Sequence, residues 1–170
     1  AMWMPCARSS GSKPVTTTRT EKTTANGVQP SGTYTQRTLW PTVNLVNNTT
    51  NWCLGRPGKV QQIQSHSQYS GTSIPRTTDF TWDTPLCRVT QAVVESASTT
   101  KKVTTDLGYD GFGNVNSTTV TGRNANGTAM TARTTTTNWG TTGQFPTTIT
   151  NPLGQITQKG WELFNGWQTS

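Results

Sequence analysis

Charge is what this 170-residue chain has least of: 12% of its residues are charged, seven of them acidic, and it carries one histidine and three cysteines. Glu21, Asp79, Asp83, Glu95, Asp106, Asp110 and Glu162 are the whole acidic set. Asp79 with Asp83 and Asp106 with Asp110 fall at equivalent positions of a repeated frame. Backbone hydrogen bonding in turns explains them better than paired-carboxylate hydrolysis of a glycosidic bond. His66 stands in Gln64-Ser65-His66-Ser67-Gln68, with no nucleophile motif and no fellow ligand, and reads as a solvated strand residue. Cys6, Cys53 and Cys87 are odd in number and widely spaced, which excludes metal-ligand spacing and permits at most one internal disulfide. A Cys53–Cys87 bridge is open, but thiols are the expectation for both. No catalytic residue, cofactor or metal is assigned, and the chain is read as a non-enzyme.

Long apolar runs are also missing. No stretch matches the core of a signal peptide or the length of a membrane span, and no window places apolar residues at three- and four-residue spacing. The expectation is essentially no helix.

Threonine fills the space left by charge, at roughly a fifth of the chain, together with seven tryptophans. Only 29% of residues are hydrophobic and the mean hydropathy is −0.62. Disordered chains pair low hydrophobicity with high charge and few aromatics, which is not this pattern. Threonine is β-branched and suits a solvated strand, while tryptophan brings a large area to bury. The net charge of +7 and pI near 9.8 suit solubility. No basic run exceeds Lys101-Lys102, and the aromatics alternate with turn residues rather than arginines, so no specific nucleic-acid partner is expected.

The most informative stretch is Thr104 to Gly122. Tyr109 closes an extended run, and Asp110 can accept from amides two residues on. Gly111 and Gly113 then permit a tight reversal, and the Val/Thr-rich run from Val115 to Thr121 follows with period-two alternation. This is a strand–turn–strand hairpin. The same frame, Thr-Thr-Asp-x-x-aromatic-Asp, starts at Thr77 and again at Thr104, 27 residues later, with Trp82-Asp83 in the first copy where the second has Tyr109-Asp110. Repetition at that spacing favours a stacked or spiralling architecture over one irregular globule.

Tyr109-Asp110-x-x-Gly113-Asn114-Val115 resembles the core of the YD repeat of Rhs (rearrangement hotspot) proteins. Asn151-Pro152-Leu153-Gly154-Gln155-Ile156-Thr157 is similar to a turn of that family, and Asn51-Trp52-Cys53-Leu54-Gly55-Arg56-Pro57 to its Asn-Trp-Leu-x-Gly-Arg-Pro segment. The resemblance covers about residues 33–170. The Trp82-Asp83 copy departs from it, with Trp for Tyr and Cys87 where glycine is usual.

What the resemblance implies is a segment of a bacterial, secreted or cell-surface Rhs or toxin-complex shell. Its partners would be the rest of the shell and an enclosed toxin cargo. Such repeats resemble long hairpins coiled into a hollow cocoon, so this chain would be wall.

In chain order, residues 1–32 are expected as a threonine/serine-rich lead-in, extended and partly paired or flexible, and 33–170 as a YD-repeat-like hairpin region. The fold expected is all-β, consecutive antiparallel hairpins forming a curved or spiralling sheet. Turns are placed at Gly55 to Gly58, Gly122 to Gly127, Gly143 to Pro146, Asn151 to Gly154 and Gly166, a loop at Gly71 to Pro75, and strands over Thr128 to Asn138 and Gln155 to Trp161.

Trp52 before Gly55, Trp139 before Gly143 and Trp161 before Gly166 are each expected to cover bare glycine backbone, an arrangement worth about 1 kcal/mol beyond burial. Two other functions stay open. One is an adhesin or glycan-binding module using exposed tryptophans; the other is a self-assembling protein with free sheet edges.

Overall fold

The computed structural model describes the backbone of residues 15–22, 31–39, 45–66 and 74–169, and the side chains of 45–63 and 75–169. The expected segments through Pro14, with Cys6, and the loop at 71–73 lie outside the described residues. Every described element is a strand or a turn, so the all-β reading of consecutive antiparallel hairpins holds and no helix occurs among the described residues.

The chain divides into two compact units, 1–77 and 78–170. In the first, β1 (Val15–Lys22) pairs antiparallel with β2 (Ser31–Leu39) from Val15 opposite Thr38 to Lys22 opposite Ser31. Between β2 and its other neighbour the chain inserts a separate hairpin, β3 (Leu45–Asn48) and β4 (Cys53–Pro57). It then returns as β5 (Lys59–His66), with Tyr34 opposite His66 and Leu39 opposite Gln61. The turn expected at 55–58 is corrected: Gly55 to Pro57 belong to β4, and the reversal comes earlier, at Thr49 to Trp52.

The second unit is a run of hairpins in chain order. Its strands are β6 (Ile74–Asp83, paired from Thr78), β7 (Arg88–Val94), β8 (Val103–Tyr109), β9 (Val115–Thr121), β10 (Arg133–Asn138), β11 (Thr148–Thr150) and β12 (Ile156–Gln158). The two-residue strands β13 (Trp161–Glu162) and β14 (Trp167–Gln168) form a separate hairpin. Two expected strands are shorter than read. Thr128 to Asn138 begins as a single bridge, Ala129 to Arg123, and regains the ladder only at Arg133 opposite Val120, because residues 130–132 on the return face only 121–122 on the outgoing side. Gln155 to Trp161 ends its ladder at Gln158, and Trp161 belongs to β13.

Little is fully covered. Cys53, at 0% exposure, is the only fully buried side chain among the described residues. Strands β7 to β9 are half-buried at nearly every position rather than alternating in and out. Backbone ladders and cross-strand pairs of β-branched residues therefore hold the sheet, as where Thr119 and Thr134 meet through their hydroxyls at 2.9 Å. Threonine suits this sheet because its methyl packs along the pleat while its hydroxyl tolerates water.

Candidate functional site: a ladder of capped hairpin turns

Six of the reversals among the described residues fall into two classes. In the first, three residues separate the paired ends and the third is a glycine with positive φ: Gly113 (93°), Gly127 (80°) and Gly154 (79°). Each loop is led by Asp or Asn, at Asp110, Asn124 and Asn151. Each leader's amide donates to the carbonyl four residues on, at 3.0 Å in all three, and each leader's Oδ1 accepts from the amides two and four residues on at 2.9–3.1 Å. This is a type I turn completed by a left-handed residue, which glycine enters without steric cost.

In the second class the loop has four residues and the fourth is left-handed: Trp52 (φ 54°), Cys87 (52°) and Gly166 (71°). Asn48 Oδ1 accepts from Asn51 N, and the Glu162 carboxylate from Phe164 N and Asn165 N.

The two aromatic–aspartate copies therefore share a build and differ by one loop residue. Each has a bulge beside its aromatic. On the returning strand Thr90 is the extra residue opposite Thr81/Trp82, and Asn116 the extra residue opposite Gly108/Tyr109. A bulge sharpens the local twist and redirects the side chains past it, so the strict alternation expected from Val115 to Thr121 is broken at Asn116.

The copies are joined through their named residues. Tyr109 Oη donates to Val89 O at 2.6 Å, and the Arg88 guanidinium lies 4.3 Å above the Tyr109 ring while its Nη2 contacts Asp83 Oδ2 at 3.1 Å. Arg88 Nε is buried and has no hydrogen-bond partner. Gln91 Nε2 donates to Asp106 Oδ1 at 2.7 Å. Around the Asp110 carboxyl, desolvation pushes the pKa up, but hydrogen bonds from the Asn114 amide and side chain and from the Phe112 and Gly113 amides outweigh it and hold it below its ordinary value.

The loop from Trp139 to Thr147 closes over the Asp110 turn. Asn114 Nδ2 donates to Gly143 O at 2.6 Å, Trp139 Nε1 donates to Val115 O at 2.9 Å, and the Phe112 ring fills the space a side chain at Gly143 would need. One hairpin further on, Trp161 Nε1 donates to Pro146 O at 2.6 Å and stacks on Phe145 with centroids 4.9 Å apart, while Phe145 lies against Gly166. Trp139 and Trp161 thus anchor the turns by hydrogen bonding to backbone carbonyls, and phenylalanines cover Gly143 and Gly166.

Trp52 is a correction. It is 81% exposed, it is itself the left-handed residue of its turn, and nothing lies near Gly55. Gly55 instead belongs to a bulge in which Leu54 and Gly55 face Asn47, and its amide donates to Asn47 Oδ1 at 2.8 Å. Pro57 ends β4 opposite Leu45. Trp82 pairs across from Val89, and Asn151, Pro152 and Gly154 make the last three-residue loop, with Asn151 Nδ2 donating to Gln155 Oε1 at 2.6 Å.

The expectation of thiols is likewise overturned: Cys53 and Cys87 are both disulfide-bonded. No clue to this lay in their spacing, although Cys87 in a glycine's place signalled an unusual constraint.

Sequence reading missed the Asn124 loop as a third member of the first class. The Asx-x-x-Gly pattern at 110, 124 and 151 was the available signal.

Four of the seven acidic groups make structural hydrogen bonds, Asp83 with Arg88, Asp106 with Gln91, and Asp110 and Glu162 with loop amides. Among the described residues no three potential ligands gather to hold a metal. A shallow cleft of about 530 Å³ beside the Asp110 turn is lined by Phe112, Asn116, Ser117, Thr136, Asn138 and Trp139 among others. No family model, curated protein or solved structure matches the chain.

Proposed function

We propose that the chain is structural: a wall segment of an Rhs/YD-type repeat shell that confines a toxin cargo, acting outside the cell without catalysis of its own. The observation that carries this reading is the equivalence of the Trp82-Asp83 and Tyr109-Asp110 hairpins. They are built alike 27 residues apart and tied to each other by Tyr109, Arg88 and Asp83. A repeat whose function is to continue a sheet must hand each hairpin to the next in a fixed register, and a bulge on the returning strand of both copies supports that reading. The threonine-rich strands give a polar surface that does not grip an unfolded cargo, and the oxidised cysteines fit an extracellular compartment.

The test is limited proteolysis of the native polypeptide that carries this sequence. The expected result is a domain that resists protease while the repeats are intact and becomes sensitive once they are opened by denaturant and reductant. A domain equally sensitive in both states sinks the reading.

A second reading, a glycan-binding surface, is favoured by Trp52 and Trp167, exposed at 81% and 72%. Binding on a glycan array that is lost in a Trp52→Ala, Trp167→Ala double variant is the result it requires.

A further inference from the structure

The two bulges differ in what their extra residues do. In the first copy the extra residue is Thr90, whose Oγ1 donates to Thr81 O at 3.3 Å. In the second copy Gly108 stands where the first has Thr81. A methyl group at Gly108 would collide with Ser117 Oγ and come within 3.0 Å of Asn116 Oδ1. Neighbours on a regular strand point to opposite faces, but this bulge brings Asn116 and Ser117 together over the bare glycine. Ser117 also faces Thr136 across the β9–β10 ladder. The side chains of Asn116, Ser117 and Thr136 make no hydrogen bond to any described residue.

All three line the shallow cleft of about 530 Å³ beside the Asp110 turn, whose apolar walls are Phe112 and Trp139. Trp139 is held by its Nε1 hydrogen bond to Val115 O, which fixes the indole ring. Asp110 is the one charged residue of the lining. Its oxygens already accept from the Phe112 and Asn114 amides and the Asn114 side chain. The cleft thus offers flat apolar rings beside uncharged donors and acceptors, and its size falls in the range of about 300–1,000 Å³ of small-ligand sites. Two other clefts of this unit lack the combination. The one at Met130 and Leu153 has no aromatic ring, and the one at Leu86 and Tyr109 is lined by the Arg88 guanidinium.

We propose that this cleft binds a neutral saccharide, a short stretch of uncharged polysaccharide lying across β9 and β10. A pyranose ring has the matching chemistry: its C–H face packs on an aromatic ring while its hydroxyls pair with amide and hydroxyl groups. The Asn116 amide presents donors and an acceptor side by side, which suits two adjacent sugar hydroxyls. A glycine inside a strand is one mark of a place where a ligand comes close. The shallow form admits a polymer from the side. The site contains neither Trp52 nor Trp167 and does not depend on the confinement reading.

The experiment is a ¹H–¹⁵N NMR titration of the chain with cellohexaose, maltohexaose, mannohexaose and chitohexaose, and with a hyaluronan hexasaccharide as the acidic arm. At least one uncharged hexasaccharide is expected to shift the Asn116 side-chain amide and Trp139 indole signals. Asn116→Ala is expected to weaken that binding by about tenfold with an unchanged β-type circular dichroism spectrum. The Trp52→Ala, Trp167→Ala double variant is expected to bind as the wild type does. The wild-type shift map keeps the proposal testable if Asn116→Ala does not fold. No binding of any uncharged sugar up to tens of millimolar overturns it, as do shifts confined to other residues and binding indifferent to Asn116→Ala. Binding of the hyaluronan fragment alone, or binding lost in the double tryptophan variant, overturns it too.

Discussion

At the scale of the residue, Asp110 shows how one carboxylate organises a reversal. Its Oδ1 accepts from two loop amides while Oδ2 receives the Asn114 side chain at 3.2 Å. These bonds favour the ionised form, so the folded pKa lies below the unfolded one. Its contribution to stability is thus fully present above the ordinary carboxylate pKa of about 4 and is lost as pH falls from there through the lower folded value. Urea titrations of wild type and Asp110→Asn across that window should show a falling difference in stability. Asparagine keeps the cap, as Asn124 and Asn151 do in the sister loops, but has no proton to gain. A difference independent of pH would disprove the assignment. Tyr109→Phe removes the 2.6 Å hydrogen bond to Val89 O and is expected to cost about 1 kcal/mol in the same titration.

At the scale of the element, the unit of construction is a hairpin turn together with the loop that closes over it. Gly143→Ala faces two obstacles, a positive φ and the Phe112 ring, and is expected to destabilise by about 1–3 kcal/mol in urea denaturation. Gly111→Ala is its control. It has open space and no left-handed backbone, so a neutral effect or a gain of up to about 1 kcal/mol is expected. Trp139→Phe keeps most of the apolar area and removes only the donor to Val115 O, for a loss of about 1 kcal/mol. Equal losses at Gly111 and Gly143 would show that the loop does not bear on the turn.

At the scale of the whole molecule, the near absence of fully buried side chains among the described residues shifts their stability onto ladders and covalent links. Removing Tyr109 to Val115 deletes a turn, its cap and the start of β9, and should abolish folding. A β-type circular dichroism spectrum unchanged in the deletion variant would refute that. Cys53 and Cys87 are both disulfide-bonded, and reduction is expected to lower stability by about 2–4 kcal/mol, read as a fall in melting temperature with and without reductant. Since Cys53 is fully covered, reduction should need denaturant or heat to go quickly.

Local chemistry made much of this legible in advance. Asx-x-x-Gly reversals, β-branched runs and the doubled aromatic–aspartate frame are decided by residues within a few positions of one another, and they determine strand, turn and repeat before any packing is known. Three things were settled only in the folded chain. Trp52 became a left-handed loop residue rather than a cover for Gly55, because bonds made by Asn47 and Asn48 moved the reversal forward. Phe112 and Phe145, rather than the tryptophans, came to lie on Gly143 and Gly166. Cys53 and Cys87 were oxidised. Each depends on which distant segment arrives at a given turn, and sequence spacing cannot encode that because a bulge or one extra loop residue changes what faces what.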